Sequence, residues 1–144
     1  MHAPITAAEA RQLNPVVLAF VGDAVFSLYV RRRMVCSGEG RAADFQRAAS
    51  RVVSAEGQSK LLDELLPLFT EEEAEQFRRG RNAKKATKSK HASVAAYNRS
   101  TGFEAVLGYL HLIGNESRIE ELLSHADASL FTGEVAPTGF KPSR

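Results

Sequence analysis

The sequence predicts an all-α protein with a single core. Apolar residues recur at helical spacing in successive stretches, helix start signals open several of these stretches, and no segment shows the period-two alternation of a half-buried strand. With 144 residues, 44% of them hydrophobic and 25% charged, the chain has the size and composition of one globular domain. The only cysteine is Cys36, so an intrachain disulfide is excluded, and we expect a cytoplasmic protein. No apolar run approaches the ~20 residues of a membrane span, so we expect no membrane partner.

The first three helices are predicted from local signals. Thr6 and Glu9 have the spacing of a capping box, which opens a short helix. Asn14 followed by Pro15 is typical of a helix start, and the second helix is expected to extend to about residue 35. A third helical stretch covers residues 41–66, and we expect Gly57 to break it in two.

The second half of the chain shows the same kinds of helix start and stop signals. Thr70 and Glu73 form another capping box, and Gly80 is expected to end the helix that they open. Two further helices are expected at about residues 93–113 and 116–130, separated by Gly114. Residues 1–131 are therefore predicted to form the folded domain. Residues 132–144, rich in glycine and proline, are predicted to be a disordered tail.

Charge is distributed unevenly along the sequence. Between Gln76 and Phe103 there is no acidic residue, whereas the stretch holds eight basic ones: Arg78, Arg79, Arg81, Lys84, Lys85, Lys88, Lys90 and Arg99. A basic segment on an otherwise acidic chain is typical of a nucleic-acid binder, although a solvated charged loop is the alternative. We expect RNA contacts from Arg78, Arg79, Arg81, Asn82, Lys84, Lys85 and Lys88.

Two acidic residues occupy unusual positions. Asp23 is the only charged residue in the apolar stretch 16–30, and Glu104 is the only acidic residue in the apolar stretch 103–113. A buried carboxylate needs a cation or several hydrogen-bond donors, and small neighbours such as Gly22 and Gly108 would let the two helices approach closely. The acids would then share either a metal ion or arginine partners, for example one of residues 31–33 or Arg99. These patterns leave both possibilities open.

The residues around both acids resemble a known family. Residues 18–25, LAFVGDAV, are similar to the ERLEFLGDAV helix of the ribonuclease III family, and residues 101–108, TGFEAVLG, are similar to its DxxEAxxG motif. Further segments at residues 13–15, 51–55 and 79–84 resemble the short Mini-ribonuclease III branch, which has a catalytic domain without a double-stranded-RNA-binding domain. The likeness spans roughly residues 10–125.

The resemblance implies a ribonuclease III-type helical endonuclease domain that forms a homodimer. It implies cleavage of double-stranded RNA with Mg²⁺, which leaves 5′-phosphate ends, with Asp23 and Glu104 as the catalytic and metal-binding residues. The implied substrate is the precursor of bacterial 23S ribosomal RNA, with a ribosomal protein as a possible partner. Three acids of the wider family fall here on Val16, Ala19 and Thr101, which implies weaker metal binding.

Two questions remain open at the level of sequence. Because acids of the wider family are missing, an alternative hypothesis is a non-catalytic RNA-binding module that acts in ribosome assembly. A helical protein-interaction domain is a third hypothesis. The apolar helix also offers more hydrophobic surface than one core requires. We expect Phe20, Val21, Val25 and Phe26 to form the dimer face.

Overall fold

The computed structural model describes residues 2–85 and 93–126, together with the backbone of residues 141–142. The described residues form seven α-helices: α1 (Ala7–Arg11), α2 (Pro15–Ser37), α3 (Ala42–Val53), α4 (Ala55–Leu65), α5 (Glu71–Asn82), α6 (Val94–Leu112) and α7 (Glu116–Ser124). A 3₁₀ turn at Leu66–Leu68 follows α4. The predicted all-α class is confirmed. In this part of the chain, no helix has both the length and the apolar character that crossing a membrane requires.

A very short strand pair departs from the expectation of no sheet. β1 (Gly38–Glu39) pairs antiparallel with β2 (Lys141–Pro142), with Gly38 opposite Pro142. At two residues a side, the pairing leaves the helical architecture unchanged. The last helix, predicted to extend to about residue 130, ends earlier, at Ser124, with His125 as its C-cap. The rest of the predicted tail lies outside the described residues, so the proposed division at residue 131 stays a prediction.

The helix starts follow the predicted chemistry. The Thr6 and Thr70 hydroxyls accept from the backbone N–H groups of Glu9 and Glu73, and both glutamates return the bond, so both capping boxes are formed. Asn14 caps α2 by accepting from the N–H of Val16. These caps satisfy backbone donors that the first turn of a helix leaves without partners.

Two glycines were wrongly predicted to be helix breakers. The third stretch breaks at Ser54, whose backbone is extended and whose hydroxyl accepts from the N–H of Gly57, so Gly57 lies inside α4. Likewise, α5 continues past Gly80 to Asn82. A Cβ atom at Gly80 would lie 2.8 Å from the Cα atom of Gly102, so this glycine serves close packing of α5 on α6.

The centre of the molecule is the crossing of α2 and α6. Both helices are apolar around most of their circumference, which is typical of helices enclosed by others. Phe26 of α2 is 1% exposed and meets Phe103 of α6 edge-to-face, with ring centroids 5.1 Å apart. The prediction that Phe26 belongs to an exposed dimer face is therefore wrong, because this side chain fills the core.

Candidate active site

Asp23 and Glu104 are brought together by the backbone contact between α2 and α6. A Cβ atom at Gly22 would lie 1.7 Å from the carbonyl oxygen of Glu104, and one at Gly108 would lie 1.9 Å from the carbonyl oxygen of Leu18. Only glycine allows the two backbones to approach this closely. The expected role of these two glycines is confirmed. Asp23, the residue after Gly22, has its side chain beside that of Glu104.

The two carboxyl groups interact directly. Glu104 is partly buried and hydrogen-bonded to Asp23, which is exposed. Burial, followed by the hydrogen bond and the charge of Asp23, raises the pKa of Glu104 to about 8, while a hydrogen bond from Gln58 opposes that rise. Burial first, and the neighbouring carboxyl group second, therefore favour the protonated form of Glu104 at neutral pH.

Gln58 of α4 contacts the pair from a third helix. Its Nε2 donates to the backbone oxygen of Val53, at 2.9 Å, and to Oε2 of Glu104, at 3.3 Å. The side chain is 2% exposed, and its Oε1 has no hydrogen-bond partner. Sequence reasoning missed this residue. The available signal was a polar position on the apolar face of α4, at helical spacing from Leu61, Leu62 and Leu65.

A cavity of about 470 Å³ opens at the carboxyl pair. Ala19 and Thr101, where the wider family has acids, face this cavity, and the Thr101 hydroxyl donates to the backbone oxygen of Tyr97. Helices α2, α4 and α6 supply most of the lining. The cavity-lining residues are Val16, Ala19, Phe20, Asp23, Val53, Ala55, Gln58, Lys85, Tyr97, Ser100, Thr101 and Glu104.

The donor set fits a hard divalent cation, though sparsely. Two carboxylates and the amide oxygen of Gln58 are the kind of ligand that Mg²⁺ takes in proteins. Among the described residues, no group of three or more His, Cys, Asp or Glu side chains is positioned to hold a metal ion. The Gln58 amide that contacts Glu104 also carries a buried acceptor without a partner, Oε1, which supports the fit.

Two of the arginines considered as alternative partners of the acids have other partners: Arg33 donates to the backbone oxygen of Ala126, and Arg99 has partners on α4. Arg99 donates to the Ser59 hydroxyl and to Asp63. Arg31, the first of the basic residues at the end of α2, lies eight residues after Asp23, which is about 12 Å along a helix axis. The interactions of Glu104 are with Asp23 and Gln58 and include no arginine, which does not support the hypothesis that arginine pairing explains the two acids.

The basic residues at the C-terminal end of α5 fall into two groups. Arg79 makes hydrogen bonds within the protein: it donates to the Leu13 backbone oxygen and to the Gln76 side chain. Arg78 and Arg81 are exposed, the first paired with Glu75 and the second over the Phe77 ring at 5.6 Å.

Lys85 caps the end of α5 from the cavity side. Its Nζ donates to the backbone oxygens of Gly80, at 3.0 Å, and Ala83, at 2.7 Å, and desolvation lowers its pKa. The side chain also lines the cavity that holds both carboxylates. Lys84 and Asn82 are exposed nearby in the chain, whereas Lys88 and Lys90 lie outside the described residues.

Comparison with known proteins identifies the family. Residues 16–115 match the family described as Ribonuclease III domain. Mini-ribonuclease 3 proteins of Streptococcus pneumoniae and Symbiobacterium thermophilum are 44% and 45% identical over 114 residues each, covering 78% and 79% of this chain and 89% and 88% of those proteins. A crystal structure of a Fusobacterium nucleatum protein has the same fold, with a TM-score of 0.71, 24% identity, and coverage of 81% of this chain and 93% of that chain. The chain therefore belongs to the ribonuclease III family of endoribonucleases, in the branch of its Mini-ribonuclease III relatives.

Proposed function

We propose that this ribonuclease III-family endoribonuclease hydrolyses double-stranded RNA with a Mg²⁺ ion held by Asp23 and Glu104. The observation that carries the proposal is the hydrogen-bonded carboxyl pair in a cavity that Lys85 also lines. The pKa of Glu104 is raised by burial and by Asp23, and a cation bound at the pair would stabilise the ionised form of this carboxyl group. The family likeness of the residues around both acids supports the same assignment.

Four side chains at the cavity have different proposed roles in the reaction. Asp23 and Glu104 would hold the ion, Gln58 keeps Glu104 in place by its hydrogen bond, and Lys85 adds a positive charge to the cavity wall. When bound, a divalent cation supplies an activated water nucleophile and neutralises charge on the phosphate oxygens. The products would be 5′-phosphate and 3′-hydroxyl ends.

Duplex RNA would be held by the basic end of α5 and the loop that follows it. Side chains cannot read the deep major groove of A-form RNA, so recognition rests on phosphates and 2′-hydroxyls. Arg78, Arg81, Asn82 and Lys84 are exposed and can reach an RNA backbone, whereas Arg79 and Lys85 also brace the protein. We include Lys88 on the strength of its charge and place in the sequence.

The proposed substrate is the precursor of 23S ribosomal RNA in the cytoplasm. It comes from the resemblance to Mini-ribonuclease III, as does the suggestion of an assisting ribosomal protein. A long precursor with paired ends supplies the double-stranded segment that a duplex-specific enzyme requires.

A homodimer is proposed from the exposed face of α2. Phe20 is 81% exposed, and Val17, Leu28 and Val35 are exposed at helical spacing from it, which makes an apolar stripe. Phe20 also lines the cavity, so a second copy on this stripe would stand beside the site. Two copies of the site would then cut the two strands of one duplex.

The alternative is a non-catalytic RNA-binding module of the same fold. Two observations favour this alternative. Ala19 and Thr101 line the cavity at positions where the wider family has acids. In addition, the described residues place no third acid beside Asp23 and Glu104. Such a module would bind duplex RNA without cutting it.

A cleavage assay distinguishes the two functions. The full chain is incubated with a long RNA duplex, or with a single strand of the same sequence, in Mg²⁺ or EDTA. We expect cuts in the duplex alone, dependent on Mg²⁺, with 5′-phosphate ends. Tight duplex binding without cleavage in Mg²⁺ or Mn²⁺ would favour the binding module.

A further inference from the structure

Gln58 is a buried polar residue with one side-chain atom that has no hydrogen-bond partner. Both N–H donors of its amide are used, one by the Val53 carbonyl at the end of α3 and one by the Glu104 carboxyl group. Because the Val53 carbonyl oxygen can only accept a hydrogen bond, the nitrogen of the amide must face it, and Oε1 is the atom left over. This oxygen is buried and has no hydrogen-bond partner.

A buried acceptor without a partner costs free energy, so a well-packed protein rarely keeps one without a use. An apolar residue would pack between α4 and α6 at no such cost, and the same face of α4 does carry Leu61, Leu62 and Leu65. The unpaired oxygen is bonded to the same carbon atom as the nitrogen that contacts Glu104, so it belongs to an amide group that is in contact with the carboxyl pair.

The carboxyl pair lacks ligands for the ion that it would bind. Mg²⁺ and Mn²⁺ take about six oxygen ligands, and amide oxygens are among those that proteins supply. Here Asp23 and Glu104 are the acids at the site, and the described residues hold no group of three metal-binding side chains. In the present arrangement the two acids are hydrogen-bonded to each other and Oε1 is shielded from solvent. A cation would have to replace that hydrogen bond to reach the amide.

We propose that Gln58 Oε1 is a third protein oxygen for the divalent cation, supplied by α4 beside the acids of α2 and α6. The proposal rests on the proposed function, because it assigns a further ligand to the same site. It also explains how a site with fewer acids than the wider family retains a cation: a neutral oxygen replaces a charged one, at a cost in affinity.

The test measures Mn²⁺ binding to the full chain without RNA, from the loss of the free-ion signal in electron paramagnetic resonance. Gln58→Leu removes the oxygen and both donors, and we expect it to weaken Mn²⁺ binding by about tenfold or more. Gln58→Glu removes the donors but keeps an oxygen, and we expect Mn²⁺ affinity at or above that of the parent. Circular dichroism confirms that each variant is folded.

A charge control separates coordination from simple attraction. Ala55→Glu adds one negative charge at the wall of the same cavity without replacing Oε1, and we expect it to tighten Mn²⁺ binding about twofold at most. If Gln58→Glu binds as weakly as Gln58→Leu, the N–H donors matter and the oxygen does not. That result, or unchanged affinity in folded Gln58→Leu, would overturn the proposal.

The variant Asp23→Asn shows whether a negative result excludes only Gln58 as a ligand or excludes the proposed metal site as a whole. If Asp23→Asn abolishes Mn²⁺ binding while folded Gln58→Leu retains it, the metal site stands and Gln58 is excluded from it. If Asp23→Asn binds Mn²⁺ as the parent does, or if the parent binds none, the assigned site itself is wrong and Gln58 has no role in it.

Discussion

The pKa of Glu104 gives the site a measurable signature in the absence of metal. The folded protein keeps the Glu104 proton up to about pH 8, whereas an unperturbed glutamate loses it near 4.5. Between these values the folded state binds more protons than the unfolded state. The free energy of unfolding of the metal-free protein should therefore fall as pH rises through this window.

Glu104→Gln removes this titration and should flatten that dependence. We expect the variant to gain stability relative to the parent between about pH 5 and about pH 8, measured by urea unfolding in EDTA. Exposed Glu64→Gln is the control and should track the parent. Parallel pH profiles for the parent and Glu104→Gln would contradict the described pairing of the acids.

At the same scale, the sequence identified both acids because a charge in an apolar helix is conspicuous. It missed Gln58, because an uncharged polar residue among leucines is a weak signal until its partners are known. It also could not show that Lys85 folds back onto the end of α5, since that depends on where the chain turns after Asn82.

At the scale of helices, the α2–α6 crossing depends on glycine at the contact. Gly22→Ala would place a methyl group against the Glu104 carbonyl, and because backbone must move we expect a loss of at least about 3 kcal/mol of unfolding free energy. Ala24→Ser adds one atom on the exposed side of the same helix and should change stability by less than about 0.5 kcal/mol. A folded Gly22→Ala of parental stability would contradict the close crossing.

The basic end of α5 makes a second prediction at this scale. Replacing Arg81 and Lys84 together by Ala should weaken duplex-RNA binding and lower the slope of log affinity against log salt by about one for each phosphate that is no longer neutralised. Arg11→Ala removes a cation that pairs with Glu72 at the opposite end of α5 and should leave the slope unchanged. An unaltered slope in the double variant would exclude this end of α5 from RNA binding.

Helix boundaries show which signals are local and which are not. Capping boxes were predictable because the cap and its partner are three residues apart, and both formed as expected. Gly57 and Gly80 were misread because a glycine that permits close packing and one that ends a helix look alike in sequence. The contact that distinguishes them, such as Gly80 against Gly102, involves residues distant along the chain.

At the scale of the whole molecule, the orientation of α2 could not be derived from the sequence. A helix that is apolar all round does not indicate which side faces the core, so Phe26 and Phe20 were assigned to one surface. In the structure Phe26 is buried and Phe20 exposed. The fold class, by contrast, follows from the helical pattern of every segment and was predictable.

Phe20→Asp tests the proposed dimer. The charge should disrupt an interface on the α2 stripe, and we expect multi-angle light scattering to give a dimer for the parent and a monomer for the variant. Leu68→Asp alters another exposed apolar residue, in the 3₁₀ turn, and should remain dimeric. A monomeric parent at micromolar concentration would count against cleavage of both strands by one assembly.

The measurement that tests the central claim most directly is cleavage of duplex RNA by Asp23→Asn and Glu104→Gln in Mg²⁺. Each substitution removes a charged ligand, and because such a ligand contributes several kcal/mol to lowering the barrier, we expect the rate to fall by at least about 100-fold. Folded Glu64→Gln should cleave at the parental rate. Near-parental cleavage by either folded site variant, or cleavage that persists in EDTA, would contradict the assignment of Asp23 and Glu104 as the residues that hold the catalytic metal.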